Sequence, residues 1–330
     1  MQHLKNPLRR ALLGTVAGAA LLATTPAALA QAWPSKPIRL VVVAPAGGSS
    51  DTVARTLADG LTPLLGQTVI VDNKPGGLGA IGAQDMLMAP HDGYTFLIAP
   101  NGLVSEIPHI VKPRFDPFKD IKPLAELSRS GLVMVGNPAL PASNLKELVT
   151  YVKANPGKVS YASFSTGTVS HTMGLELNKL AGLDMTHVGY KGSPPALQDV
   201  MGGHVALMFD GPATSIPMLK TGKLKAFAVS STKRMSALPD VPTFAEAGYP
   251  QIDDIAWVGV WTTPDVPADI QTKVREASLK VLQQPKVAER FRELGMDVGQ
   301  PLTPEQMSQS LRAASEKHGA HLKAIGFKSE

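Results

Sequence analysis

The sequence predicts an α/β protein of two lobes with a ligand cleft between them. Strand-like and helix-like segments alternate in two series, an apolar strand-like segment (255–261) returns late, and Gly- or hydroxyl-rich loops follow strands in both series. Such alternation is typical of layered α/β domains with largely parallel sheets. We therefore expect a ligand in the cleft, at the carboxyl ends of the strands.

The first series begins with a β-branched apolar run, residues 38–44 (IRLVVVA), which is typical of a strand buried on both faces. A Gly-rich turn follows, and then a helix-like segment at 52–65. Gly66 is the type of residue that ends a helix. The series continues with strands at 68–71 and 94–99 and a helix at 80–88.

The second series begins near Gly131 with the apolar run 132–135. Segment 144–154 is predicted to be helical, because Ser143 or Asn144 can cap its start and a Pro-Gly pair follows its end. Further strands are predicted at 159–162, 187–190, 205–209 and 225–230, with helices at 195–201 and 214–220. Three amphipathic helical stretches close the chain, at 268–283, 285–294 and 304–325.

The late strand at 255–261 is expected to return the chain to the first series. We therefore predict a first lobe formed by residues 31–130 plus 255–330 and a second lobe formed by residues 131–254. No internal repeat or low-complexity tract interrupts this division.

The first 30 residues are predicted to be a cleavable secretory signal. Lys5, Arg9 and Arg10 form a positive start, and an apolar stretch at 11–23 leads to an Ala-Leu-Ala run. The stretch is too short to span a bilayer, which takes about 20 apolar residues. We expect cleavage after Ala30, and the Ala-Leu-Ala run disfavours the alternative of a retained membrane anchor.

Composition excludes several classes of protein. The chain has no cysteine, which rules out disulfides, Cys-type zinc sites, thiol nucleophiles and a lipidated-cysteine anchor. Loss of the leader's three positive charges lowers the formal net charge from +5 to +2. This low charge, with few aromatic residues and no run of Lys and Arg, argues against nucleic acid as a partner.

The loop after the first strand is the most informative segment, and it contains Gly47, Gly48, Ser49, Ser50 and Asp51. Its glycines let the backbone approach a ligand, and the helix start leaves N–H groups unpaired. The helix dipole favours an anion by about 0.3–1 kcal/mol, and each hydrogen bond to a charged group contributes about 1.5–3 kcal/mol. The loop can thus hold an anion without Arg or Lys. The motif is equally compatible with an ordinary turn in which Ser50 or Asp51 caps the helix.

A similar loop recurs in the second series. It is rich in hydroxyl groups and follows a strand, and its candidate donors are Ser165, Thr166, Gly167, Thr168 and Ser170. Two such loops, one from each lobe, are suited to hold one ligand from both sides.

Other motifs are weaker. Residues 77–82 (GLGAIG) match the dinucleotide fingerprint, but they follow the second strand, and the nearest acidic residue at the expected spacing, Glu106, lies in no predicted strand. His318 and His321 lack a metalloprotease context, so we expect no metal or other cofactor. Ser170 and His171 suggest an exported hydrolase as a rival function, although a capping or packing role for the histidine is favoured because triad residues are seldom sequence neighbours.

Eight short segments form an ordered set along the chain: 45–51 (PAGGSSD), 71–77 (VDNKPGG), 92–95 (DGYT), 161–163 (YAS), 187–193 (HVGYKGS), 202–205 (GGHV), 238–243 (LPDVPT) and 246–248 (EAG). Together they resemble the tripartite tricarboxylate transporter receptors, also called the Bug family of extracytoplasmic solute receptors. The likeness runs from residue 33 to the last helix.

The resemblance implies a type II periplasmic-binding-protein fold that closes on a small carboxylate in the periplasm. The implied site has one wall of Gly47, Gly48, Ser49, Ser50 and Asp51, another of Ser165, Thr166, Gly167, Thr168 and Ser170, and Tyr190, Lys191 and Asp210 as neighbours. The family usually has Gly where this chain has Ser165 and Pro where it has Ser170, which bears on the shape of the pocket. Asn101 and Gly102 are expected to line the distal end of the cleft or to cap a helix.

The resemblance also implies a function without chemistry. A monomeric binding protein would capture the carboxylate and deliver it to the membrane subunits of a tripartite tricarboxylate-type transporter. The same fold would equally serve a receptor that signals to a membrane kinase, and the sequence does not choose between the two.

Overall fold

The structure, a computed structural model, describes residues 33–327. The predicted signal segment and its cleavage point after Ala30 lie outside the described residues. Two mixed sheets and the helices packed on them make up the chain from Lys36 onward, which forms one unit. Within residues 33–327, no helix has the length and apolarity that crossing a membrane takes.

The first sheet has six strands. They are β1 (Ile38–Val42), β2 (Val69–Asn73), β3 (Thr95–Pro100), β4 (Lys122–Gly131), β10 (Ile255–Thr262) and β11 (Asp297–Val298). Their order across the sheet is β11-β4-β10-β3-β1-β2. β1 pairs in parallel with β2 and β3, whereas β10 runs antiparallel to β3 and β4.

The second sheet has five strands. They are β5 (Val133–Gly136), β6 (Ser160–Ser163), β7 (Thr186–Gly189), β8 (Leu207–Asp210) and β9 (Lys225–Val229). Their order is β7-β6-β8-β5-β9. β6 is parallel to β7 and β8, and β5 is antiparallel to β8 and β9.

The expectation of largely parallel sheets is wrong. Among the described strands, parallel pairs occur only within β1–β3 and β6–β8. β10 runs antiparallel to β3 and β4, β11 runs antiparallel to β4, and β5 runs antiparallel to β8 and β9. β4 leads into β5 and so passes the chain to the second sheet, and β10 brings it back. We use first lobe for the six-stranded sheet with its helices and second lobe for the five-stranded sheet with its helices; the exact residue boundaries stay a prediction.

Ten helices of four or more residues lie in the described part of the chain. They are α1 (Ser49–Leu65), α2 (Ala80–Met88), α3 (Gly102–Ser105), α4 (Leu145–Ala154), α5 (Val169–Ala181), α6 (Ser193–Gly202), α7 (Pro212–Lys220), α8 (Ala268–Leu282), α9 (Pro285–Glu293) and α10 (Pro304–Ala324). Local sequence features explain where several of these helices begin or end. α1 stops at Gly66, whose φ is 67°, and the Asn144 side chain caps α4 by accepting from the Glu147 amide over 2.9 Å.

Strand β4 is the longest described element that the sequence did not reveal; the short helix α3 and strand β11 were also not predicted. Pro123, Glu126 and Arg129 interrupt its apolar pattern, yet most of the strand is buried. Arg129 Nε lies 2.7 Å from Glu126 Oε1, so the buried Glu126 carboxyl has a partly exposed cation beside it. Pairing with β10 and β11 on both edges decides the conformation here.

Apolar burial holds each sheet between its helices. Leu40 and Val41 of β1, Tyr161 of β6 and Trp261 of β10 are fully buried. Burying side chains of this kind stabilises the fold by roughly 1.5–3 kcal/mol each. The strands are thereby fixed, and their carboxyl ends give the loops a rigid base.

Candidate ligand-binding site

A cavity of about 550 Å³ opens at the carboxyl ends of the parallel strands of both sheets. In the first lobe it is lined by the loops after β1, β2 and β3, and in the second by the loops after β6, β7 and β8. This volume is typical of pockets for small molecules. The cavity therefore lies where the order of strands and loops predicted a cleft.

The start of α1 presents unpaired backbone donors to this cavity. Gly48, Ser49 and Ser50 line it, and within the described residues the amides of Ser49, Ser50 and Asp51 donate to no acceptor. The residue at the N-cap is Gly48, and no side chain caps the helix. The alternative in which Ser50 or Asp51 caps the helix is therefore wrong, because neither side chain bonds to the first-turn amides.

Ser49 adds a hydroxyl group to these amides. Its Oγ is buried and has no hydrogen-bond partner among the described residues. It lies against the second lobe, since a Cβ added at Gly211 would come within 2.5 Å of this oxygen. A buried hydroxyl without a partner is unfavourable in a protein interior, and a ligand oxygen would supply the missing partner.

Gly47 and Asp51 do not line the cavity. Asp51 Oδ2 accepts a hydrogen bond from the Gly47 amide over 2.8 Å, and Oδ1 accepts one from Asn73 Nδ2 over 2.9 Å. Burial opposes ionisation of Asp51, but the hydrogen bonds from Arg55, Gly47 and Asn73 outweigh it, and the pKa of the carboxyl is lowered. Asp51 is thus ionised, and its hydrogen bonds hold the loop in place from outside the cavity; we call this a bracing role.

The residues of the second loop also fall into two groups, those that line the cavity and those that do not. Ser165, Thr166 and Thr168 line the cavity, and Thr168 Oγ1 donates to the Ser165 carbonyl over 2.7 Å, which closes the turn before α5. Gly167 and Ser170 do not line it. The Gly167 amide donates to the ring of the following histidine, and the Ser170 hydroxyl points into the second lobe.

The contacts of Ser170 and His171 do not form a nucleophile pair. Ser170 Oγ donates to the Phe209 carbonyl over 2.5 Å, and His171 Nδ1 accepts from the Gly167 amide over 3.0 Å. The His171 ring stacks on His187 with centroids 3.6 Å apart, and burial lowers the pKa of His171 to about 3. Both side chains therefore serve packing and turn geometry.

Tyr190 and Lys191 line the cavity after β7. Tyr190 Oη donates to Asp199 Oδ2 over 2.5 Å, and burial raises the pKa of the phenol to about 12. Lys191 is exposed at the mouth and forms no ion pair within residues 33–327. It is a cation within the cavity wall.

Asp210 ends β8 beneath the cavity and does not line it. The carboxylate is fully buried, and its Oδ2 accepts hydrogen bonds from Thr214 over 2.5 Å and Ser215 over 2.6 Å. Burial raises the pKa of Asp210 against the effect of these donors. Its neighbour Gly211 forms the wall instead.

Glu106 is an acidic cavity residue that the sequence interpretation did not assign to the site. It follows α3, lines the cavity and is 9% exposed. Its Oε2 accepts a hydrogen bond from the Val169 amide over 3.0 Å, which joins the first lobe to the start of α5 in the second. Burial, with a smaller contribution from Asp254, raises the pKa of Glu106 to about 7, although the Val169 amide opposes the shift. Its position in the loop after β3 was the signal available.

Two further groups of residues extend the first wall. Asn101 lines the cavity and accepts a hydrogen bond from the Trp257 amide over 3.0 Å, so its side chain ties the loop after β3 to β10. The glycine-rich turn 76–79 lines it as well, which gives these glycines a place in the pocket wall. No group of three or more His, Asp or Glu suited to a metal ion occurs in the described part of the chain.

The sequence profile described as "Tripartite tricarboxylate transporter family receptor" matches residues 53–327. The chain belongs to this family. The receptor is 35% identical over 287 residues to a UPF0065 protein of Agrobacterium vitis encoded in the TAR-I ttuE-ttuC' intergenic region, with 86% of this chain and 83% of that protein covered. The predicted family membership is thus confirmed.

Solved structures are similar to the receptor along almost their full length. The periplasmic binding protein BugD has a TM-score of 0.84 at 33% identity, covering 90% of this chain and 100% of that one. Rpa4515 of R. palustris, solved with adipate, has a TM-score of 0.86 at 29% identity, with 90% and 100% covered. MatC of Rhodopseudomonas palustris, solved with malate, has a TM-score of 0.82 at 30% identity, with 88% and 100% covered.

These likenesses confirm the two-lobed type II periplasmic-binding-protein fold and place the receptor in the Bug family of solute-binding proteins. Members of the family are periplasmic binding proteins.

Proposed function

We propose that this receptor captures a small carboxylate in the cavity and delivers it to the membrane subunits of a tripartite tricarboxylate-type transporter. The observation that carries the proposal is the start of α1, where three amides and the buried Ser49 hydroxyl lack partners among the described residues. Such a helix start favours an anion through its N–H groups and its dipole. The adipate in Rpa4515 and the malate in MatC are carboxylates of the kind that we assign to this receptor.

The proposed site contains two kinds of residue. We assign ligand contact to those that line the cavity, namely Gly48, Ser49, Ser50, Ser165, Thr166, Thr168, Tyr190 and Lys191. We assign a bracing role to those behind the walls, namely Gly47, Asp51, Gly167, Ser170 and Asp210. Binding of this kind needs no cofactor.

The proposal describes a binding protein without catalytic activity. Ser170 and His171, the candidates for a hydrolase, are each bonded to backbone groups outside the cavity. We further propose that the receptor is exported, cleaved after Ala30 and monomeric, with no nucleic-acid partner.

Thermal shift with purified mature receptor tests capture. A panel of mono-, di- and tricarboxylates is compared with neutral amides of the same skeleton, and a ligand at 100 times its dissociation constant should stabilise the receptor by about 2.7 kcal/mol. We expect a rise in melting temperature with a carboxylate and none with its amide. A panel without any shift, or equal shifts with acid and amide, would overturn carboxylate capture.

Delivery is tested separately, by uptake of the labelled acid in cells that carry or lack the receptor gene. For a transport receptor, we expect uptake to be lost when the gene is deleted and to return when the wild-type copy is restored. Unchanged uptake combined with a lost transcriptional response to the acid would instead identify the signalling alternative.

A further inference from the structure

The two walls of the cavity differ in how their helix starts are satisfied. At α1, the amides of Ser49, Ser50 and Asp51 have no acceptor within residues 33–327. At α5, the first amide, that of Val169, already donates to Glu106 Oε2 over 3.0 Å. The first wall is therefore open to an anion, whereas the second already holds one from the protein itself.

The Glu106 side chain is held in place by its close contact with Gly102 and by burial. Its carboxyl group folds back over Gly102, where an added Cβ would lie 2.8 Å from the carboxyl carbon. The side chain is 9% exposed and lines the cavity, and its second oxygen, Oε1, accepts no hydrogen bond from the described residues. One oxygen is thus fixed to the second lobe, and the other remains available inside the cavity.

We propose that Glu106 takes the place of a ligand's second carboxylate, so that this receptor selects acids with one carboxylate and a hydrogen-bond donor or cation at the other end. The inference rests on the proposed function, because the single ligand carboxylate is assigned to the open start of α1. To the proposed function, the inference adds the class of acid that binds and the residue that selects this class.

Electrostatics supports this selection. A second ligand carboxylate next to Glu106 would place two acidic groups side by side at a buried position, where one of them must take up a proton. An ammonium, amino or ring N–H group would instead donate to Oε1 and form a charge-assisted hydrogen bond. The Val169 amide favours the ionised form of Glu106, whereas burial raises its pKa to about 7, so we expect the selection to be strongest above that pH.

The remainder of the cavity indicates the body of the ligand. The rest of the cavity lining is mainly apolar and includes Leu103, Ile107, Ile110 and Phe164. Such a lining favours a hydrocarbon chain or a ring over a densely hydroxylated skeleton.

Titration calorimetry of the mature receptor tests the proposal with three matched sets of acids. They are butyrate, γ-aminobutyrate and succinate; caproate, ε-aminocaproate and adipate; and benzoate, para-aminobenzoate and terephthalate. Within each set only the far end changes. For the set that binds most tightly, we expect the amino acid to bind at least tenfold more tightly than the diacid.

Three variants identify the residue responsible. Glu106→Gln retains an acceptor for the Val169 amide and should reduce the amino-to-diacid preference at least tenfold, whereas Glu106→Asp retains the charge and should keep the preference. Glu176→Gln removes another carboxyl group whose pKa burial raises to about 7, but which does not line the cavity, and should leave the preference unchanged.

The outcomes separate this inference from the proposed function. A wild-type preference for the diacid, or a preference that Glu106→Gln leaves unchanged, overturns the role of Glu106 and leaves carboxylate capture intact. The comparison of amino acid and diacid on the wild-type receptor tests the proposed selectivity even if a variant does not fold. Absence of binding by every acid in the three sets overturns the role of Glu106, and carboxylate capture is overturned with it only if the wider panel of mono-, di- and tricarboxylates also gives no shift in melting temperature.

Discussion

Asp51 and Asn73 are joined by a hydrogen bond of 2.9 Å between Asn73 Nδ2 and Asp51 Oδ1. This bond connects the end of β2 to the first turn of α1. The same Asn73 nitrogen donates to the Ala44 carbonyl over 3.0 Å, so one side chain fixes both ends of the first binding loop. The conformation that presents the α1 amides to the cavity therefore depends on residues that do not reach it.

Asp51→Ala should destabilise the receptor and weaken ligand binding, although Asp51 does not line the cavity. Loss of a hydrogen-bonded charged group of this kind costs about 1.5–3 kcal/mol. The pKa of Asp51 is lowered in the fold, so its contribution to stability is present above the unfolded pKa and is lost as pH falls through the folded one. Melting curves at neutral pH and near pH 3 check this.

Asp59→Ala, an exposed position on the same helix, is the matched control and should leave stability and binding nearly unchanged. Equal stability of Asp51→Ala and the wild type at neutral pH would refute the bracing role.

Ser49→Ala should leave the free receptor as stable as the wild type or slightly more stable, because the variant removes a buried hydroxyl that has no partner. Ligand affinity should fall roughly tenfold to a hundredfold, since the hydroxyl is expected to donate to the bound carboxylate. Calorimetry and melting of the free protein measure the two effects. Thr56→Ala, whose hydroxyl bonds to the Thr52 carbonyl of the same helix, is the control; unchanged affinity of Ser49→Ala would contradict the assigned contact.

Gly211→Ala should weaken ligand binding by forcing the two walls apart. The added Cβ would lie 2.5 Å from Ser49 Oγ, well inside van der Waals contact. The loss should be smaller in a Ser49→Ala background, where the opposing oxygen is absent, and a double-mutant cycle measures this coupling. Additive losses in the cycle would show that the walls do not meet at this point.

Ser170→Ala should lower stability without removing any enzymatic activity. The variant leaves the Phe209 carbonyl and the Phe164 amide without the hydroxyl that now bonds to both, and leaving such buried groups unpaired costs about 1–3 kcal/mol. Chemical denaturation measures the stability, and ester and amide substrates test for turnover. Turnover by the wild type that Ser170→Ala abolishes would restore the hydrolase alternative.

Acidification should destabilise the receptor through the stacked pair His171 and His187. Burial lowers their pKa values to about 3 and 4, below the unfolded value of 6.5. Between about pH 6.5 and 4 the unfolded chain therefore binds protons that the folded chain excludes, and stability falls as pH falls. His187→Gln should flatten this dependence in melting experiments.

Exposed His204 provides the control for the pH experiment, and His204→Gln should keep the wild-type slope. The raised pKa values of Glu106 and Glu176 act in the opposite direction, since their contribution is lost as pH rises toward 7, but they are common to all variants and cancel in the comparison. An identical slope for His187→Gln and the wild type would contradict the assignment.

Local sequence patterns predicted most elements of the fold within a few residues. The run from Ile38 predicted β1, Gly66 marked the end of α1, and the expected helix at 80–88 is present as α2. These signals succeed because strand and helix periodicity and helix stops depend on neighbours along the chain. β4 was missed because its burial depends on partners that lie far along the sequence.

The division of the binding loops into contacts and braces could not be predicted from the motif. Gly47 and Asp51 share a motif with Ser49, yet only the serine among these three lines the cavity, because side-chain direction at a helix start depends on what packs behind it.

By itself, the sequence determined the α/β class, the two Gly- and hydroxyl-rich loops, and the family, because these depend on local pattern and ordered motifs. The tertiary structure alone decided that Glu106 meets the Val169 amide, 63 positions along the chain. That contact joins two lobes folded around separate sheets, and no local pattern encodes which groups from distant segments face each other across a cleft.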